Sequence, residues 1–134
     1  MKTVLPQHRE TAYALLRIVV GFLFFCHGMV AIAFLFGEGT PYSPTWLYNT
    51  AGIVELVVGA LVLVGCRVRI AAFLASGQMA VAYFYRHQLG GLLPIENDGE
   101  LAALFCFLFL FIAATGAGKW SIEACCSQWG TKSA

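Results

Sequence analysis

The chain has 134 residues, 60% of them hydrophobic and only 11% charged, with a formal net charge of +1. That length holds one ordinary domain, and soluble domains carry roughly a quarter charged residues. These figures argue against a water-soluble enzyme, a nucleic-acid binder with a basic stripe and a disordered chain, and point to a membrane protein.

Four apolar stretches follow one another: Tyr13–Phe36, Leu47–Val64, Val68–Tyr85 and Glu100–Ala117. At 1.5 Å per residue each is long enough, or nearly so, for a bilayer core of about 30 Å. They are continuous runs rather than alternating strands of about ten residues, and helices satisfy their own backbone in lipid. The expectation is an all-α integral membrane four-helix bundle forming a single domain. In the first stretch, Ala31-Ile32-Ala33 looks like a signal-cleavage site, but hydrophobicity continues to Phe36, so the segment is read as a retained span. The connection Gly37–Trp46 holds Pro41 and Pro44 and should be a compact loop. The connection Gly65–Arg67 is so short that the second and third spans should form an antiparallel hairpin. The third span, with Ser76, Gly77 and Gln78, depends most on packing against its neighbours. The connection Arg86–Gly99 is long and polar and suggests turns, with Asn97 or Asp98 as a cap for the last span. No internal repeat stands out.

Charge sets the expected orientation. Lys2, Arg9, Arg17, Arg67, Arg69, Lys119 and Lys132 fall on one side. Arg86 lies on the other, beside Glu38, Glu96, Asp98 and Glu100. By the positive-inside rule both termini face the cytoplasm.

Ionisable groups within spans carry a functional reading by default. A carboxyl at a helix centre costs about 2.5–3.5 kcal/mol on the insertion scale, while each Leu, Ile or Val returns about 0.3–0.6. The nine such residues between Ile53 and Val64 roughly offset Glu55. Gly52, Glu55 and Gly59 share one helix face, which should turn Glu55 into the bundle. Counting from the outer ends, Glu55 and His27 both lie at a depth of roughly 12–14 Å. Gln78 is within reach of that layer, and Glu100 stands at the outer mouth. The functional reading is a polar pocket built from His27, Glu55, Gln78 and Glu100, able to hold a quinone headgroup, relay protons or bind a metal. The structural reading is interhelical hydrogen bonding, which is the stronger one for Gln78. Arg17, near the cytoplasmic end, is read as an interfacial anchor or a bundle-internal ion pair.

No ligand-spacing motif for a metal is present. Cys26 and Cys106 lie in spans and could approach each other, a weak redox candidate. The chain has no Cys-x-x-Cys and no motif for flavin, haem or iron–sulfur binding. The run Phe105, Phe107, Phe109 and Phe111 splays to opposite sides of its helix, so no stacking face is expected, and most Phe residues should meet lipid.

Leu16-Arg17-Ile18-Val19-Val20-Gly21 followed by His27-Gly28 resembles the opening of the DoxX family. So do Glu55 in a Gly-flanked second span, Asn97-Asp98-Gly99-Glu100, and Gly116-Ala117-Gly118-Lys119-Trp120-Ser121-Ile122-Glu123. Where family members often carry a basic residue shortly after His-Gly, this chain has Val30, Ala31 and Ile32. The resemblance implies a small four-span inner-membrane protein of bacterial type. The family takes its name from a subunit of a thiosulfate:quinone oxidoreductase, and other members are associated with oxidative-stress membrane complexes. The expected function is therefore a subunit of a redox-linked membrane complex, with membrane lipids and protein partners and a quinone as possible ligand. The alternatives are a non-catalytic membrane scaffold and an oligomeric small-molecule transporter, the latter needing a homo-oligomer to form a path.

Overall fold

A computed structural model of the chain describes residues 8–36, 45–91 and 93–130, without the side chains of residues 35, 45 and 127–130. Among these residues there is no strand. The helices are α1 (Arg9–Phe36), α2 (Thr45–Val64), α3 (Val68–Ala82), α4 (Glu100–Thr115) and α5 (Ile122–Gly130). The expected loop between the first two spans, the acidic Glu38 within it, and the terminal lysines Lys2 and Lys132 lie outside the described residues.

Helix ends follow local chemistry. Gly65, at φ 77°, takes the left-handed conformation that closes α2, and the amides of Gly65 and Cys66 both return to the Leu61 carbonyl, at 3.0 and 2.9 Å. Gly116 ends α4 at φ 92° and ψ −162°, an extended positive-φ conformation that favours glycine, with its amide on the Ile112 carbonyl at 2.8 Å. The third span differs from its expected limits. Its α-helix stops at Ala82 and continues as a π-helical turn, Tyr83–His87, and a 3-10 turn, Gln88–Gly90. The N-cap of α4 is Gly99, not Asn97 or Asp98. Asn97 acts two residues earlier, where its Oδ1 accepts the Gly99 amide at 2.9 Å in an Asx turn. The tail also folds: Ser121 Oγ accepts the Ala124 amide at 3.1 Å, an N-cap that starts α5.

The helices pack as two antiparallel pairs. A Cβ on Gly21 would strike the backbone of Leu63, one on Gly59 that of Phe25, and one on Gly28 that of Leu56. As one helix number rises the other falls, so α1 and α2 run antiparallel with backbones in near contact. In the second pair, Ser76 Oγ donates to the Cys106 carbonyl at 2.9 Å, and Arg69 reaches the carbonyls of Ala113 and Ala114 at 3.1 and 2.7 Å. The hairpin of the second and third spans exists, but α2 packs more closely on α1, and α3 on α4.

Both pairs use one device. Arg17 of α1 donates to the Val62 and Leu63 carbonyls at 2.6 and 2.9 Å, and Arg69 of α3 to the last carbonyls of α4. Each arginine satisfies carbonyls that the end of its partner helix leaves open, where the helix dipole favours a cation. Arg17 and Arg69 thus play the same capping part in the two pairs.

The apolar surface faces outward. Phe22, Phe73, Phe107 and Leu104 are exposed, while the core is small: Phe24, Val62, Ala72, Ala75, Phe109 and Ile112. Two helices, Arg9–Phe34 and Trp46–Val64, are long and apolar enough to cross a bilayer, and only 33% and 22% of their most apolar windows are buried against the protein. Core helices of a soluble protein would be mostly buried. Glu100–Thr115 is apolar but shorter.

Candidate functional site

Helices α1 to α4 and the connection between α3 and α4 all contribute to one cavity. On α1, Phe24 and His27 are three residues apart and share a face. Glu55 enters from α2, Met79 and Ala82 from α3, His87 from the π-helical turn, Asp98 from the following loop, and Leu101, Ala102 and Phe105 from α4. Together they line an open cavity of about 230 Å³. Its apolar side is aromatic. Phe24 packs against Phe105 and Phe109 with ring centroids 5.8 and 4.7 Å apart, and His27 meets Phe105 edge-on at 6.1 Å.

Of the residues picked out from sequence, His27 and Glu55 meet in this cavity. Glu55 is half-buried, and its Oε1 accepts the Gln78 amide at 3.1 Å. The same amide reaches the Ala51 carbonyl at 3.2 Å, so Gln78 ties α3 to α2 and is not among the lining residues. Glu100 is exposed in the first turn of α4 and does not line the cavity. Asp98, two residues earlier, does. His27 is more exposed than a bundle-interior group would be. Cys26 and Cys106 are both free thiols, and Cys106 Sγ lies 3.6 Å from Ser76 Oγ. Among the described residues no three His, Cys, Asp or Glu side chains are grouped to hold a metal ion.

Arg17 corrects its sequence reading. It lies at the other end of α1 and is fully buried, so it is not an interfacial anchor. Among the described residues no carboxylate pairs with it. Its guanidinium instead donates to Val62, Leu63, Lys119 and Trp120 carbonyls, joining α2 to the segment before α5. Backbone carbonyls as partners cannot be seen by matching charges along a sequence.

His87, Asp98, Phe24 and Phe105 are site residues that sequence reasoning missed. The loop pair escapes a search of the spans because its residues lie outside them and eleven positions apart. A signal existed: His87 and Asp98 are polar groups in the same outer connection that leads to Glu100. Phe105 and Phe109, four residues apart, share a buried face, while Phe107 and Phe111 are exposed. The outward splay agrees with expectation; the stacking of the inner two, at 5.8 Å and 21°, does not.

The DoxX family pattern matches residues 12–88, which covers α1 to the π-helical turn. An uncharacterized protein of Haemophilus influenzae is 38% identical over 127 residues, covering 89% of this chain and 93% of its own length. No solved structure matches. With the family pattern running over more than half of its length, and with its apolar surface turned outward, this chain belongs to the DoxX family and is a helical membrane protein.

Proposed function

We propose that this protein is a four-span inner-membrane subunit of a redox-linked complex, with both termini cytoplasmic, and that its cavity receives a quinone-class headgroup. The observation that carries this reading is that His27, Glu55, His87 and Asp98 line one cavity with Phe24 and Phe105. A quinone ring needs flat apolar walls and a few polar groups at its edge. The volume, about 230 Å³, is below the roughly 300–1,000 Å³ of drug-sized pockets. It suits a single ring. Reducing a quinone takes two electrons and two protons. The cavity residues His27 and Glu55 can pass protons, and a partner protein carrying a redox cofactor supplies the electrons.

The orientation rests on charge. Arg9, Arg67, Arg69 and Lys119 gather where α1 and α3 begin and α2 and α4 end, while Glu96, Asp98 and Glu100 lie at the opposite end with Arg86. The rod Val68–Gly90, counting its π-helical and 3-10 turns, and Glu100–Thr115 complete the four crossings.

Titration of the nanodisc-embedded protein with a short-chain quinone tests the reading. Saturable binding that weakens in Glu55→Gln is expected. Absence of binding overturns it.

A further inference from the structure

The polar groups around the cavity differ in what they offer a ligand. That difference selects between the redox forms of a quinone, and the selection rests on the quinone-class reading. His87 Nδ1 lies 3.0 Å from the backbone carbonyl oxygen of Asn97. A carbonyl only accepts, so Nδ1 carries the proton, and in the neutral ring Nε2 is left as an acceptor. The residue that sets this tautomer is well held. Asn97 is buried; its Nδ2 donates to the Gly91 carbonyl at 2.9 Å and its Oδ1 accepts the Gly99 amide at 2.9 Å. His87 itself stands at the end of the π-helical turn, an irregularity that often marks functional sites in helices.

Asp98, next to Asn97, also lines the cavity and is the second residue there whose side chain can accept. It holds a left-handed backbone, φ 56°, a conformation that Asp and Asn tolerate better than most residues. The remaining lining side chains besides His27 and Glu55 are Phe, Met, Ala and Leu, none of which donates a hydrogen bond. Among the described residues no Lys, Arg, Ser, Thr, Tyr or Trp side chain lines the cavity. His27 brings a ring N–H donor to the cavity, while His87 and Asp98, at its outer end, offer acceptors. A quinone presents two carbonyl oxygens, which accept. Its two-electron-reduced quinol presents two hydroxyls, which can accept from His27 and also donate to His87 and Asp98.

We infer that the cavity prefers the quinol over the quinone, with His87 Nε2 and the Asp98 carboxylate accepting from a ligand hydroxyl. A site built to pair with a hydroxyl discriminates against the analogue lacking one, because its acceptors are then left unpaired.

The test is anaerobic binding of a short-chain 1,4-benzoquinone and of its quinol to the nanodisc-embedded chain. The quinol should bind roughly three- to tenfold more tightly, the worth of one neutral hydrogen bond. In His87→Asn the shorter amide can still donate to the Asn97 carbonyl but offers no atom at the place of Nε2, so the preference should fall toward unity. Asp98→Asn, at an exposed position that keeps a residue tolerant of its backbone, should reduce it as well. Nitrogen-15 spectra of the wild-type histidines should show one ring protonated at Nδ1 and lost in His87→Asn. Equal binding of the two forms, tighter quinone binding, a preference that survives both variants, or a His87 ring protonated at Nε2 overturns this inference and leaves the quinone-class reading standing. Binding of neither form overturns both.

Discussion

Gln78 and Glu55 are joined side chain to side chain: Nε2 of one donates to Oε1 of the other at 3.1 Å, fastening α3 to α2 beside the cavity. The bond separates a structural role from a ligand-binding one. Glu55→Gln keeps an oxygen for Gln78 and should unfold within about 0.5 kcal/mol of wild type in detergent, while binding quinone more weakly. Gln78→Leu leaves that Glu55 oxygen without its donor and should cost about 1–3 kcal/mol. Thermal unfolding of both variants decides, and equal destabilisation would mean that Glu55 serves only as interhelical glue.

The two arginine caps should rank by burial. Arg17 is fully buried on four backbone carbonyls, so Arg17→Met should cost about 3 kcal/mol or more. Arg17→Lys should recover only part of this, because one ammonium cannot span the fork of a guanidinium. Arg69 makes similar bonds at an exposed site, and Arg69→Ala should cost about 1 kcal/mol. Denaturant titrations of the three variants supply the order.

Glycines on the α1–α2 seam should be intolerant, and one outside it should not. Ala at position 28 would drive Cβ into the backbone of Leu56, an overpacking expected to cost about 1–3 kcal/mol or to separate the pair. Gly77 has nothing within 4 Å of its missing Cβ, so Gly77→Ala should be neutral or stabilise α3 by up to about 1 kcal/mol. Unfolding temperatures in the same detergent give the comparison.

The tail should behave as a clamp on the turn between α2 and α3. Glu123 Oε1 accepts the Val68 amide at 3.0 Å, and the Glu123 amide donates to the Gly65 carbonyl at 3.2 Å. The carboxyl thereby caps α3, whose own N-cap, Arg67, makes no side-chain cap bond. In Glu123→Ala the Val68 amide should exchange faster by hydrogen–deuterium measurement, with amides at the α4 core unchanged. Ser121→Ala should release α5 by removing its N-cap, a loss of about 1 kcal/mol.

Much of the helical layout is legible in the sequence, because apolar runs and glycine punctuation are local signals. The first two helices begin within four residues of their expected starts and end where expected, at Phe36 and Val64. The illegible features are non-local. Arg17 reads as a charge in search of a counter-charge, yet its partners are carbonyls exposed by the end of another helix. The π-helical turn at Tyr83–His87 has no periodic signature, and it carries His87 to the cavity. Glu100 is the obvious carboxylate at the mouth by position, but as the first residue of α4 it is exposed, while Asp98 in the preceding turn lines the cavity. Depth counting brings His27 and Glu55 together because helical rise is regular; it cannot treat the irregular segment that supplies the other half of the site.

The central claim is that a quinone-class ring occupies the cavity between Phe24, Glu55 and Phe105. Photolabelling with a short-chain azidoquinone, followed by peptide mass mapping, tests it most directly. Labels confined to the segments around Phe24–His27, Glu55, His87–Asp98 and Leu101–Phe105, and displaced by excess unlabelled quinone, are the predicted result. Labels spread over the lipid-facing residues such as Phe73 and Phe107, undiminished by competitor, would contradict it.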